Sequence, residues 1–285
     1  MLKKRIFNNY EKITYERLDE VCKTVNASVF PKVRLADIFP ITDSGISNEE
    51  YSFALKSHFD FTVYDNTTLQ PLFAVEFDGK AHSTEVQKSR DKIKNRLAER
   101  FNLPLLRINS LYLDKKYRSL DLLSWCIEVW FSAEYFYEAQ RNGAVPYDEP
   151  FSPESIISIS GYQKKFPFFL SFDIRNEIRK LFEAKKIKSS IPNVWIGTDN
   201  NKNYYGISWI HIDNNQWIVS TSGMKVQRFL MIQSDLLEEI LIFELYKELS
   251  DFFEKKVNSF SDKEIDLMIN KFQKKYRLAS ASLGG

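Results

Sequence analysis

Four charged residues pose the chemical question in this chain. In the stretch FDFTVYDNTTLQPLFAVEFDGKAHS, residues 59–83, Glu76, Asp78 and Lys80 stand at alternate positions, and Asp60 lies one hairpin earlier. Alternate side chains of a strand share a face. Phe73, Val75 and Phe77 are therefore expected on the core side, and Glu76, Asp78 and Lys80 on the other. Charges taken out of water need a partner or an ion, and Gly79 lets another group come close to the backbone. With Asp60 alongside, up to three carboxylates face one point. That is a hard, oxygen-rich site suited to Mg²⁺, with Mn²⁺ as a substitute, and a divalent cation relieves repulsion between like-charged acids. A lysine two residues past an acid can orient a water and offset charge growing on a phosphate. The metal can polarise a phosphoryl oxygen and lower the pKa of water. Together these groups suit phosphodiester hydrolysis. The same spacing also fits an exposed hairpin with solvated acids and a lysine pairing with one of them.

The elements that must position these residues can be read around them. Residues 10–25 carry an apolar stripe at helical spacing (Ile13, Leu18, Val21, Cys22, Val25), with Glu16 and Glu20 on a common face. SVFPKVRLADIF reads as extended and PITDSGISNEE as loop. HFDFTVYD and PLFAVEFD read as strands joined by the turn-rich NTTLQ. STEVQKSRDKIKNRLAERF reads as a helix with Val86, Ile93, Leu97 and Phe101 on its apolar face and Ser83 or Thr84 as cap. LPLLRIN is a short buried strand, and SLDLLSWCIEVWFSAEYFYEAQ a long helix fit to cross a sheet. The order α-β-β-β-α-β-α predicts an α/β fold, a mixed sheet with helices against it.

A linker is expected at 141–154 (RNGAVPYDEPFSPE), separating a first domain, 1–140, from a smaller α+β domain, 155–285. In the second, SFDIRNEIRKLFEAKKI reads as helix. NVWIGTD, YYGISWIHID and QWIVSTS read as a small antiparallel sheet turning at Asp213-Asn214-Asn215. Two helices close the chain, the first starting near Ser234 and the second capped by a Ser261–Glu264 box. The tail LASASLGG is expected to fray.

FDF…PLFAVEFDGKAHS…SRDKIKN…LPLLRI resembles the PD-(D/E)XK nuclease superfamily, in particular a bacterial branch similar to very short patch repair endonucleases; KVRLADIF looks like that branch too. The resemblance covers roughly residues 10–115. It implies a restriction-endonuclease-like mixed β-sheet flanked by helices and Mg²⁺-dependent cleavage of DNA. By that resemblance Asp60 is the first acid, Asp78 and Lys80 the acid-x-lysine, and Glu76 the additional acid, with Glu76 or Asp78 as principal ligand. Glu16, with Glu20 as its rival, resembles an acid of the first helix that helps bind a second metal. His82 becomes a proton shuttle, a phosphate contact or a helix cap. Gln87, Arg90, Asp91 and Lys94 lie on the helix that faces the active site in that superfamily, which makes Gln87, Arg90 and Lys94 candidates for nucleic-acid binding. Phe59 stands where the superfamily's name has proline. Arg107 either pairs with a site acid or sits at a strand end; His58 and His211 read as incidental.

Composition narrows the field. A net charge of +2 excludes a polycation that holds nucleic acid by its global field, although QKSRDKIKNR, DKKYR and EAKKIK could form local patches. Two distant cysteines, Cys22 and Cys126, argue against a disulfide framework and a zinc site and for small buried hydrophobes. No run of about 18 apolar residues occurs, so no membrane span is expected. The N-terminus does not read as a signal peptide, and a cytoplasmic location follows as an expectation. The first functional expectation is a metal-dependent endonuclease acting in restriction, repair, recombination or anti-phage defence. Its second domain would bind the target, form a homodimer or meet a protein partner. The alternatives are a non-catalytic nucleic-acid-binding or assembly module, and a nuclease subunit active only within a larger complex.

Overall fold

The computed structural model describes residues 7–79, 84–116, 120–153 and 169–284. The protein is mixed α/β and divides into two compact units, one of Met1–Lys165 with Gln227–Met231, the other of Phe166–Val226 with Ile232–Gly285.

In the first unit, α1 (Asn9–Cys22) leads to β1 (Ala27–Pro31), the short α2 (Leu35–Ile38) and α3 (Asn48–Lys56). Then come β2 (Phe61–Asp65), β3 (Pro71–Phe77), α4 (Glu85–Arg100), β4 (Leu105–Ile108) and α5 (Leu122–Arg141). The sheet runs β1-β2-β3-β4, antiparallel across the first two pairings and parallel between β3 and β4. It is a mixed sheet, as the element order predicts. Parallel strands need a crossover, and α4 supplies it.

Both faces of this sheet are covered. Phe73 meets Trp130 and Phe131 of α5, while Phe61 meets Phe7 and, from α1, Tyr15. On the opposite face Ala74 and Leu105 join Ile93, Leu97 and Ala98 of α4 and Phe59. Phe59, Phe61 and Phe73 are fully buried; truncating one such ring to Ala costs about 3–5 kcal/mol. This corrects the expectation that β3 has one core face and one polar face. The polar residues begin only at its C-terminal end, partly beneath α4.

Two further segments depart from the sequence reading. NEEYSFALK is a helix, because Ser47 and Glu50 form a capping box. The described part of 141–154 folds back on α5: the Gln140 side-chain amide donates to the carbonyls of Pro146 and Glu149, and Phe151 packs on Phe136 and Tyr137. Both cysteines are buried and free, and burial pushes the Cys22 thiol up to about 12.

The open edge of β4 is covered by Gln227–Met231. Leu105 N–H donates to Arg228 O, and the Gln227 side chain both accepts from Arg107 N–H and donates to Arg107 O.

The second unit contains α6 (Phe172–Glu183), β5 (Asn193–Thr198), β6 (Tyr204–Asp213), β7 (Gln216–Met224), α7 (Gln233–Phe253), α8 (Asp262–Lys275) and β8 (Arg277–Ser282). Its sheet is antiparallel, ordered β7-β6-β5-β8. Val194, Ile196, Ile210 and Ile218 face Leu237, Leu241 and Leu245 of α7; Ile207, Trp209 and Val219 face Ile265 and Phe272 of α8. The turn at 213–215 forms with Asn215 at φ 55°, and the capping box at Ser261 is present. The tail does not fray: Arg277–Ser282 pairs with β5, whose edge would otherwise be open. Among the described residues no helix is long and apolar enough to cross a membrane.

Candidate functional site

The pairing register brings the sheet acids together. Phe61 lies opposite Val75 in the antiparallel β2–β3 pair, so Asp60, just before β2, comes opposite Glu76. The two carboxylates interlock with the backbone: Glu76 Oε1 accepts from Asp60 N–H at 3.2 Å, and Asp60 Oδ2 accepts from Phe77 N–H at 3.0 Å. In the parallel β3–β4 pair Glu76 lies opposite Arg107, which puts Arg107 on the same face.

Each acid has its own cation. Lys32, just past β1, bridges Asp60 Oδ1 and Glu11 Oε1 of α1, both at 2.6 Å. Lys94 of α4 donates to both oxygens of Glu76, at 2.6 and 2.8 Å. Arg107 grips Asp78 with two bonds of 3.0 and 2.9 Å, pairs with Asp91 at 2.7 Å and donates to Asn95. Among the described residues no three His, Cys, Asp or Glu side chains gather closely enough to hold a metal ion on their own.

The electrostatics separate the acids. Glu76 is only 3% exposed. Burial raises its pKa to about 7, and Lys94 works against that rise. Burial also pushes Asp60 up, but the hydrogen bonds from Lys32 and Phe77 N–H and the charges of Lys32 and Lys94 bring it below the ordinary carboxylate value. Asp60 is thus a poised anion, and Glu76 is a group that can hold a proton near neutrality. His58, two residues before Asp60, has its pKa lowered by burial and by the charges of Lys32 and Lys94. It lies in the same electrostatic neighbourhood.

Asp60, Glu76 and Asp78 thus come to adjoining strand ends. Lys80 and His82 lie outside the described residues. Glu16 does not join the group. It is exposed and pairs with Lys12, because Thr14, Leu18 and Val21 occupy the buried stripe of α1 and Glu16 falls off it. Glu20 pairs with Arg17. The α1 acid that reaches the sheet is Glu11, one turn before Thr14. Lys94 is not a free phosphate contact, since its ammonium is committed to Glu76. Gln87 donates to Asp91. Arg90 lines a cleft against α3. Glu11 and Lys32 were not singled out from the sequence. The only local signal at Lys32 is its place after Pro31, and its backbone adopts a left-handed φ of 54°.

Residues 3–120 match the model of a family described as a protein of unknown function (DUF2726). No curated protein and no solved structure gives a significant match to the chain.

Proposed function

We propose that the protein is a Mg²⁺-dependent deoxyribonuclease of the PD-(D/E)XK kind, with a restriction-endonuclease-like first unit and an accessory α+β second unit. The observation that carries this reading is the register that sets Asp60 opposite Glu76, with Asp78 two residues on, at the end of a mixed sheet crossed by α4. Asp60 and Glu76 form a two-carboxylate oxygen donor set. Magnesium takes such a set with its remaining positions left to water and a phosphate. Bound there, the ion would supply positive charge to a phosphoryl oxygen and lower the pKa of water. As oxygen donors the two carboxylates fit that group; Lys32 and Lys94 now hold them, so a bound ion would have to share or displace those ammonium groups. Arg107 orients Asp78 and ties β3 to α4 through Asp91. Lys80, at acid-x-lysine spacing from Asp78, is assigned to orient the attacking water, and His82 to contact phosphate.

A second reading has its own support. Three acids each answered by a cation form a self-sufficient network, which suits a non-catalytic nucleic-acid-binding or assembly module. Plasmid cleavage separates the two. The nuclease reading expects nicking or cutting that needs Mg²⁺ or Mn²⁺ and is lost in Asp60→Ala, Asp78→Ala and Lys80→Ala proteins that remain folded. Wild-type protein that binds DNA yet stays inert on single-stranded, duplex and branched substrates with either metal supports the second reading and overturns the first.

A further inference from the structure

The acids at the sheet end occupy one stripe of α4, through Asp91 and Lys94. A different stripe of the same helix (Val86, Arg90, Ile93) lines an open cleft of about 520 Å³ against Phe53, Lys56 and Ser57 of the α3 region. Such a volume falls in the range of small-ligand sites.

Two observations bear on what this cleft takes. Its apolar wall includes an aromatic ring and Val86, which is 72% exposed although apolar. Its charges are two cations and one acid, Lys56 and Arg90 against Glu49, a balance that favours an anion.

A flat apolar body and an anionic group are the chemistry of a nucleotide. Every base offers a face for an aromatic ring, and Arg and Lys take the phosphate. The cleft is also close in sequence to the proposed site, since Ser57 lies three residues before Asp60 and Arg90 one residue before Asp91. We propose that the α3–α4 cleft is a subsite for one unpaired nucleotide of the substrate strand, its phosphate met by Lys56 and Arg90 and its base by Phe53 and Val86. This rests on the nuclease reading and extends it to a preference for strands with an unstacked nucleotide. A stacked, paired base cannot lay its face on Phe53.

The test is fluorescence anisotropy of the full chain, in EDTA, with a fluorescein-labelled single-stranded oligodeoxynucleotide and with its duplex. Lys56→Ala and Arg90→Ala should each weaken single-strand binding by about 3- to 10-fold and lower the salt slope by about 0.7. Duplex binding should change less in both. Variants that bind the single strand as tightly as wild type, or lose single strand and duplex equally, overturn the subsite and leave the nuclease reading standing. Wild-type protein that binds neither probe, in EDTA or with Ca²⁺ in place of Mg²⁺, overturns both.

Discussion

Replacing Glu76 by glutamine should remove a pH dependence from the stability of the first unit. Glu76 is enclosed at the sheet end, with Lys94 on both carboxylate oxygens. Burial raises its pKa from 4.5 to about 7 in the folded chain. Below pH 4.5 the group is protonated in both states and contributes nothing. Between 4.5 and 7 the folded state keeps a proton that the unfolded chain has lost, so stability falls as pH rises. Above 7 the full cost is present, about 3 kcal/mol for a shift of that size. Urea unfolding of wild type and E76Q, at pH 5, 6, 7 and 8 in EDTA, isolates this group, because Asp60, the acid coupled to it, stays ionised across that range. At pH 5 Glu76 still holds its proton in the folded chain, so E76Q, its neutral isostere, is expected to be about as stable as wild type there. The signature is a gain of E76Q over wild type of about 2–3 kcal/mol between pH 5 and 8. A difference that stays constant, or moves against E76Q as pH rises, would refute the assignment of Glu76 as a buried acid with a raised pKa.

Other perturbations have equally definite outcomes. Lys32→Met takes the bridging ammonium from between Glu11 and Asp60. It should lower the melting temperature in EDTA, and millimolar Mg²⁺ should restore more of the loss than it adds to wild type; no differential rescue counts against a cation site at Asp60. Truncation after Tyr276 removes β8 and bares the β5 edge, so the second unit should lose stability and the protein should aggregate more readily by light scattering. Unchanged solubility and melting would contradict that role for the tail. Gly206→Ala places a Cβ against the Cδ1 of the fully buried Leu241. Overpacking of this kind costs about 1–3 kcal/mol, to be read as a lowered urea midpoint.

Much of this was legible in the residues, because the signals are local. Period-two alternation put Glu76 and Asp78 on one face, and the hairpin put Asp60 beside them. The Ser261–Glu264 box and the Asp213-Asn214-Asn215 turn carry their geometry within three or four residues. The Ser47–Glu50 box was equally present, in a stretch whose start reads as loop. Glu16 was placed at the site on a superfamily pattern, whereas helical phase gives that position to Glu11.

The amino-acid sequence by itself determined which acids share a strand face, since a strand's two-residue period needs no knowledge of distant chain. Only the tertiary structure decided what answers them. Lys94, Arg107 and Lys32 lie 18, 29 and 28 residues from the acids they bind, and their arrival depends on how α4 crosses the sheet, on the parallel register of β4 and on the turn after β1. The same holds for the tail, whose Ala, Ser and Leu have little strand preference: it is a strand because β5 offers an edge of unpaired backbone groups. Local periodicity sets the direction of a side chain, while long-range packing sets the charge it meets.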